Sequence, residues 1–183
     1  MGTPTVAAPV KRIVGVLVAS LPLLDEVVDA VAASVAPVEL ASAPEAWTVS
    51  RYYTRELGPN IWRQYLALRG VMPADALAAL KLETNRLEDH WRDGGARRVN
   101  LDPGYVSVTT LVLASTKPAA HRVYLGGGIY AEATLSFVNG SFTPWPYTYA
   151  DYAAPASLAF FNQVRARYRA ETAAVRAPGR AAR

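Results

Sequence analysis

Two turn signals, Gly126-Gly127-Gly128 and Asn139-Gly140, punctuate a run rich in Val, Tyr, Ile, Thr and Phe between residues 120 and 144. Glycines supply the positive φ angles of short β-loops, and Asn-Gly favours the type I′ turn whose twist suits a hairpin. The chain must therefore fold back on itself twice, giving a three-stranded meander. With three glycines in the first loop, Leu125 faces Ile129, Tyr124 faces Tyr130 and Arg122 faces Glu132, because antiparallel partners keep a constant sum of residue numbers. The second turn sets Phe137 across from Phe142. Arg122, Tyr124, Tyr130 and Glu132 then share one side, and His121, Val123, Leu125, Ile129, Ala131 and Ala133 form the side predicted to pack on a core.

Upstream, Arg12 to Val18 is a nearly continuous apolar run, the pattern of a central strand. Ser20 stands at a capping position, and Leu24, Val27, Val28, Val31 and Val35 recur at helical spacing until Pro37. Val38 to Leu40 and Ala46 to Val49 are weaker extended segments. Residues 50–59 end at a Gly58-Pro59 breaker and read as a surface loop covering the core, or as a loop whose Arg51, Tyr53 and Glu56 enclose a pocket. Ile61 to Arg69 predicts a strand with Trp62, Gln64, Leu66 and Leu68 on one side. Pro73 opens a second helix with a stripe of Leu77, Leu80, Thr84, Leu87 and Trp91, ended by Gly94-Gly95. Lys81, Glu83, Asn85, Arg86, Glu88 and Asp89 lie mainly off that stripe and are predicted to face solvent. Arg97 to Leu101 is extended again, Asp102-Pro103-Gly104-Tyr105 has the residues of a type II turn, and Pro155 to Tyr168 predicts a last helix.

This order reads as one α+β domain over residues 10–169. It would have a mixed or antiparallel sheet with helices on one face, and a ferredoxin-like split βαβ core joined by the meander and a C-terminal helix. Residues 1–9 and the Ala/Arg-rich residues 170–183 are expected to be disordered. The 183 residues, 51% of them hydrophobic, suffice for one sizeable core.

The net charge of +4 is a property of one end. Residues 165–183 hold six arginines against Glu171, so the other 164 residues carry 13 basic and 14 acidic side chains. The globular part therefore offers no general attraction to nucleic acid. Without cysteine there is no disulfide framework or thiolate chemistry, and a cytoplasmic location fits. Lys11 to Leu24 has the outline of a signal sequence. However, Asp25, Glu26 and Asp29 interrupt it, and the apolar stretch is shorter than the roughly 20 residues a membrane span needs.

No chemistry declares itself by motif, so neither a reaction nor a cofactor is specified. Two histidines and no cysteine cannot furnish a typical zinc set, whereas a Mg²⁺ site from Asp102, Glu132 and Glu56 is chemically allowed. Ser115 or Thr116 with Lys117 and His121 could supply a nucleophile and base, but a polar turn before a strand and a core histidine account for the same letters more simply. The preferred reading is an anion site. Lys117 and Arg122, supported by Arg97 or Arg98, would hold a phosphate or carboxylate, Asn100, Tyr124 and Tyr130 would add hydrogen bonds or stacking, and Asp102 and Glu132 would orient the cations or bind a metal. The ligand would be a small phosphorylated or nucleotide-like molecule. The competing reading is a non-enzymatic interaction module in which Trp145, Tyr147, Tyr149 and Tyr152 form an aromatic patch for another protein or a second copy of the chain.

Several strings also resemble a known bacterial and archaeal family, the domain of unknown function 4416. They include Lys81-Leu82-Glu83-Thr84-Asn85, Arg98-Val99-Asn100-Leu101-Asp102-Pro103-Gly104-Tyr105, Leu111 to Lys117, His121 to Leu125, Gly128 to Glu132, and Trp145-Pro146-Tyr147-Thr148-Tyr149. The resemblance spans Lys11 to Arg169 and implies no established activity. Members are sometimes labelled GTP-binding, yet this chain has no Gly-x-x-x-x-Gly-Lys-Ser/Thr loop, and Gly126-Gly127-Gly128 lacks the adjoining lysine and helix of a phosphate cradle.

Overall fold

The computed structural model describes residues 2–49 and 53–176. In chain order these form β1 (Val10–Val18), α1 (Leu21–Ser34), β2 (Val38–Ala41), β3 (Glu45–Ala46), α2 (Thr54–Leu57) and β4 (Trp62–Met72). They continue with α3 (Leu77–Glu88), β5 (Arg92–Asp93), β6 (Ala96–Arg97), β7 (Val99–Val106), β8 (Thr110–Ser115) and β9 (Arg122–Gly126). The last elements are β10 (Ile129–Val138), β11 (Ser141–Pro144), α4 (Ala150–Ala153) and α5 (Pro155–Arg176). Residues 2–9 form no regular element. The tail expected from residue 170 begins inside α5, and its residues from 177 on, like Arg51 and Tyr52, lie outside those described. No helix among the described residues is long and apolar enough to cross a membrane.

A nine-stranded antiparallel sheet carries the fold, with its main path ordered β11-β10-β8-β7-β1-β4-β2. The segment β7-β1-β4-β2, with α1 after β1 and α3 after β4, has the spatial order of a ferredoxin-like split βαβ core. Residue parity along β1 separates the two faces. Val14, Val16 and Val18 pack with Leu24, Val27 and Val31 of α1, while Ile13 packs with Phe160, Phe161 and Val164 of α5. The two core helices thus share one face, and α5 covers the other.

The meander forms with Tyr124 opposite Tyr130, Arg122 opposite Glu132 and Phe137 opposite Phe142. Its first loop differs by one position: Gly126 pairs with Ile129, and Leu125 falls in a bulge. The larger correction concerns which side is buried. Glu132 is 2% exposed, whereas Val123 is 67% and Leu125 43% exposed. Ile129 and Ala131 do pack against Leu77 and Leu80 of α3, but the apolar cluster they join does not include Val123 or Leu125 of β9. On the polar side Arg122 and Glu132 instead turn inward, toward Tyr149 at the start of α4, while Tyr124 stays 59% exposed.

Asp102-Pro103-Gly104-Tyr105 is a second correction, because it lies within strand β7 with Asp102 opposite Gly15 and Pro103 opposite Val14 on β1. Gly104 serves close approach rather than a turn. A Cβ there would stand 2.4 Å from the carbonyl oxygen of Val112 on β8. β7 and β8 pair only from Gly104 to Val106, so the sheet forks below that point. Leu101 directs its N–H and C=O into the fork, and Pro103, two residues on, would point its N–H the same way. The missing donor of Pro103 therefore breaks no ladder bond.

Helix α3 fills the fork. Lys81 Nζ donates to the Leu101 carbonyl at 2.7 Å, and the Leu101 N–H donates to Glu88 Oε1 at 2.8 Å. Lys81 and Glu88, expected in solvent, are 6% and 4% exposed. Their spacing does carry a signal: Leu77, Lys81, Thr84 and Glu88 fall at alternating steps of four and three, which is itself a buried helical stripe beside the apolar one.

Candidate functional site

A cleft of about 310 Å³ opens at the fork. Helix α3 contributes Lys81, Asn85 and Glu88. Strands β7 and β4 contribute Asn100, Asp102 and Arg63, and the β8–β9 connection with the hairpin contributes Ser115, Lys117, Arg122 and Glu132. Trp47, Tyr53, Arg97, Tyr149, Asp151 and Tyr152 also line it. The sheet positions these groups by parity, since Asn100, Asp102, Arg63 and Glu132 all project from the face that α4 and α5 cover only in part.

Three arginines organise the cleft, each against carboxylates. Arg63 donates through Nε and Nη2 to Asp151 Oδ2 and through Nη1 to Asp102 Oδ2 at 3.2 Å, and its guanidinium carbon lies 5.4 Å from the Trp47 ring. Gly15 makes room for it, as a Cβ at that position would stand 2.9 Å from Arg63 Nη1. Arg97 donates to Glu56, with longer contacts to Glu88 and Asn100. Arg122 donates through Nε to Glu132 at 2.8 Å, through Nη1 to Ser115 Oγ and the Lys117 carbonyl, and through Nη2 to the Tyr149 hydroxyl at 3.0 Å. Glu132 also faces His121 Nε2 at 3.1 Å, and the His121 ring is stacked 4.2 Å from Tyr147.

Burial dominates the electrostatics. Loss of solvent pushes the Glu88 carboxyl above its ordinary pKa, against the opposing pull of Lys81 and the Leu101 N–H. Burial likewise raises Tyr53, reinforced by the nearby Asp102. Arg97 is raised although burial works against its charge, because its bonds to Glu56 and Glu88 outweigh that loss.

Six of the nine anticipated residues meet here: Arg97, Asn100, Asp102, Lys117, Arg122 and Glu132. Arg98 is exposed elsewhere, and Tyr124 and Tyr130 pack on each other at 5.2 Å outside the cleft. Glu56 bonds Arg97 without lining the cleft. Sequence reasoning missed Arg63 and Asp151, whose charges sit in apolar surroundings 88 residues apart and leave no local pattern. Among the described residues no three Asp, Glu or His side chains converge as a metal set. Ser115 Oγ accepts from Arg122 and from the Lys117 N–H, while His121 faces Glu132, so these residues do not form a serine–histidine pair. Of the aromatic segment, Trp145 and Tyr149 are exposed, Tyr147 donates to the Ala133 carbonyl at 3.0 Å, and Tyr152 is buried.

No curated protein and no solved structure matches the chain. A family does match, over residues 8–168, which takes in every element from β1 through most of α5. The chain belongs to the family described as the domain of unknown function DUF4416.

Proposed function

We propose that the fork cleft binds a small anionic ligand of the phosphorylated kind. One observation carries this reading: Arg63, Lys81, Glu88, Glu132 and Asp151, each less than a tenth exposed, all line the same open cleft. Burying ionic groups gives little or no net stability compared with apolar packing, so such a concentration in a concave site favours function over architecture. The cations and anions nearly balance, with the surplus on the positive side: six Lys or Arg side chains line the cleft against five Asp or Glu.

Lys117 and Arg97 are the anion contacts in this reading. Lys117 is exposed in the cleft lining, and Arg97, with 27% of its side chain exposed, bonds Glu56 through Nη2 and makes only long contacts through Nη1. Arg122 acts differently from the role its sequence position suggests, because its donors are committed to Glu132, Ser115, Lys117 and Tyr149. It holds the β8–β9 connection so that Lys117 is presented to a ligand. The test is a thermal-shift screen against inorganic phosphate, polyphosphate, sugar phosphates and nucleotides. A ligand at 100 times its Kd adds about 2.7 kcal/mol. Stabilisation that is weakened by Lys117→Ala supports the reading, and silence across the panel removes it. That silence would leave a protein-interaction role for the exposed Trp145 and Tyr149.

A further inference from the structure

Two buried polar atoms remain when the network around Arg63 is accounted for. Asp151 Oδ2 accepts from Arg63 and from the Tyr65 hydroxyl at 3.0 Å, while Asp151 Oδ1 accepts from no donor among the described residues. Tyr152, only 1% exposed, has a hydroxyl that is also without a partner among the described residues. Gly15 makes the space for that hydroxyl, since a Cβ there would lie 2.5 Å from it. Asp151 and Tyr152 both line the cleft, in company with Asp102. Buried polar atoms are rarely left unpaired, so two of them on consecutive residues that line one cleft require an explanation.

Hydroxyl groups supply one, because a hydroxyl oxygen can accept the Tyr152 proton and a hydroxyl proton can go to Asp151 Oδ1. A phosphate does not fit this end, because it meets the Asp102 and Asp151 carboxylates with like charge and, when fully ionised, has no proton to give. Trp47 and Tyr53, packed edge to face at 5.7 Å, add an apolar wall suited to the C–H face of a sugar. Resting on the anion reading above, we propose that the Asp151–Tyr152 end is a polyol subsite, and that the ligand is a phosphorylated sugar or polyol. Its phosphate sits toward Lys117 and Arg97, and its hydroxyls sit against Tyr152, Asp151 and Asp102.

Calorimetric titration of the full chain with inorganic phosphate, glycerol 3-phosphate, ribose 5-phosphate and adenosine monophosphate tests this. A sugar or polyol phosphate is expected to bind at least about tenfold tighter than phosphate, as the added hydrogen bonds require. Tyr152→Phe should remove about five- to tenfold of that advantage while leaving phosphate binding within about twofold. Lys117→Ala should weaken both. Equal affinity for phosphate and for every polyol phosphate would overturn the subsite while leaving the anion reading intact, as would a Tyr152→Phe protein with an unchanged ratio; an ordered water then occupies the position. Binding of the nucleotide without ribose 5-phosphate would overturn it as well, and no binding at all would remove both readings. Should Tyr152→Phe fail to fold, the ratio measured on the unaltered protein still decides.

Discussion

Glu88 accepts the main-chain N–H of Leu101 at 2.8 Å, giving that residue from a helix the partner that a strand supplies elsewhere in the sheet. Lys81 completes the substitution at the Leu101 carbonyl. The cleft exists because of this exchange. Had β8 continued alongside β7 beyond Gly104, backbone would fill the space where the charged side chains now gather.

Glu88→Ala removes the acceptor and leaves Lys81 and the Leu101 N–H buried without it. Breaking such a pair from one side costs about 3–5 kcal/mol. Urea denaturation should show that loss, and Glu88→Gln, which keeps an acceptor for Leu101, should lose less. Equal effects of the two substitutions would contradict the geometry.

The raised pKa of Glu88 has a consequence with a definite sign. The folded protein holds this proton at a pH where the unfolded chain, with a carboxyl pKa of about 4.3, has released it. Its contribution to stability is therefore fully present below the unfolded value and is lost as pH rises through the folded one. The stability of the unaltered protein relative to Glu88→Gln should fall across that window. Parallel pH profiles for the two proteins would show that Glu88 does not titrate as described.

Arg122 and Lys117 are neighbours in the cleft with opposite structural weights. Arg122→Ala takes the guanidinium from Glu132, which is 2% exposed and is left with His121 and the Thr134 hydroxyl; the expected cost is about 3–5 kcal/mol, partly recovered by adding Glu132→Gln. Lys117→Ala, at an exposed position, should stay within about 0.5 kcal/mol of the parent. Chemical denaturation of the three variants checks this, and it also identifies Lys117→Ala as the clean control for ligand binding.

Gly104→Ala would drive a Cβ to 2.4 Å from the Val112 carbonyl, against backbone that cannot rotate away. Overpacking of this kind costs about 1–3 kcal/mol. Pro103→Ala should cost only about 0.4–1 kcal/mol, through greater freedom of the unfolded chain, because the restored N–H points into the fork rather than at a ladder partner. A larger loss at Pro103 than at Gly104 would mean that the segment is a turn after all.

Local relationships were legible from the letters. The Asn139-Gly140 turn, the pairing of Arg122 with Glu132, the central position of β1 and the stripes of α1 and α3 follow from turn chemistry and from periods of two and 3.6 residues. Six residues of the cleft were legible too, because they cluster between Arg97 and Glu132. The period of two states which residues share a side, but not which side meets the core. That depends on what covers the strand, and only the packed structure shows Val123 and Leu125 of β9 left exposed while Glu132 is buried. Asp102-Pro103-Gly104 has the composition of a turn, yet the tertiary demand for a strand against β1 and a close approach to β8 overrode it. The meeting of Arg63 with Asp151, and of Lys81 and Glu88 with Leu101, was likewise decided by tertiary structure, since partners from separate elements find each other through the topology of the sheet and leave no spacing to read.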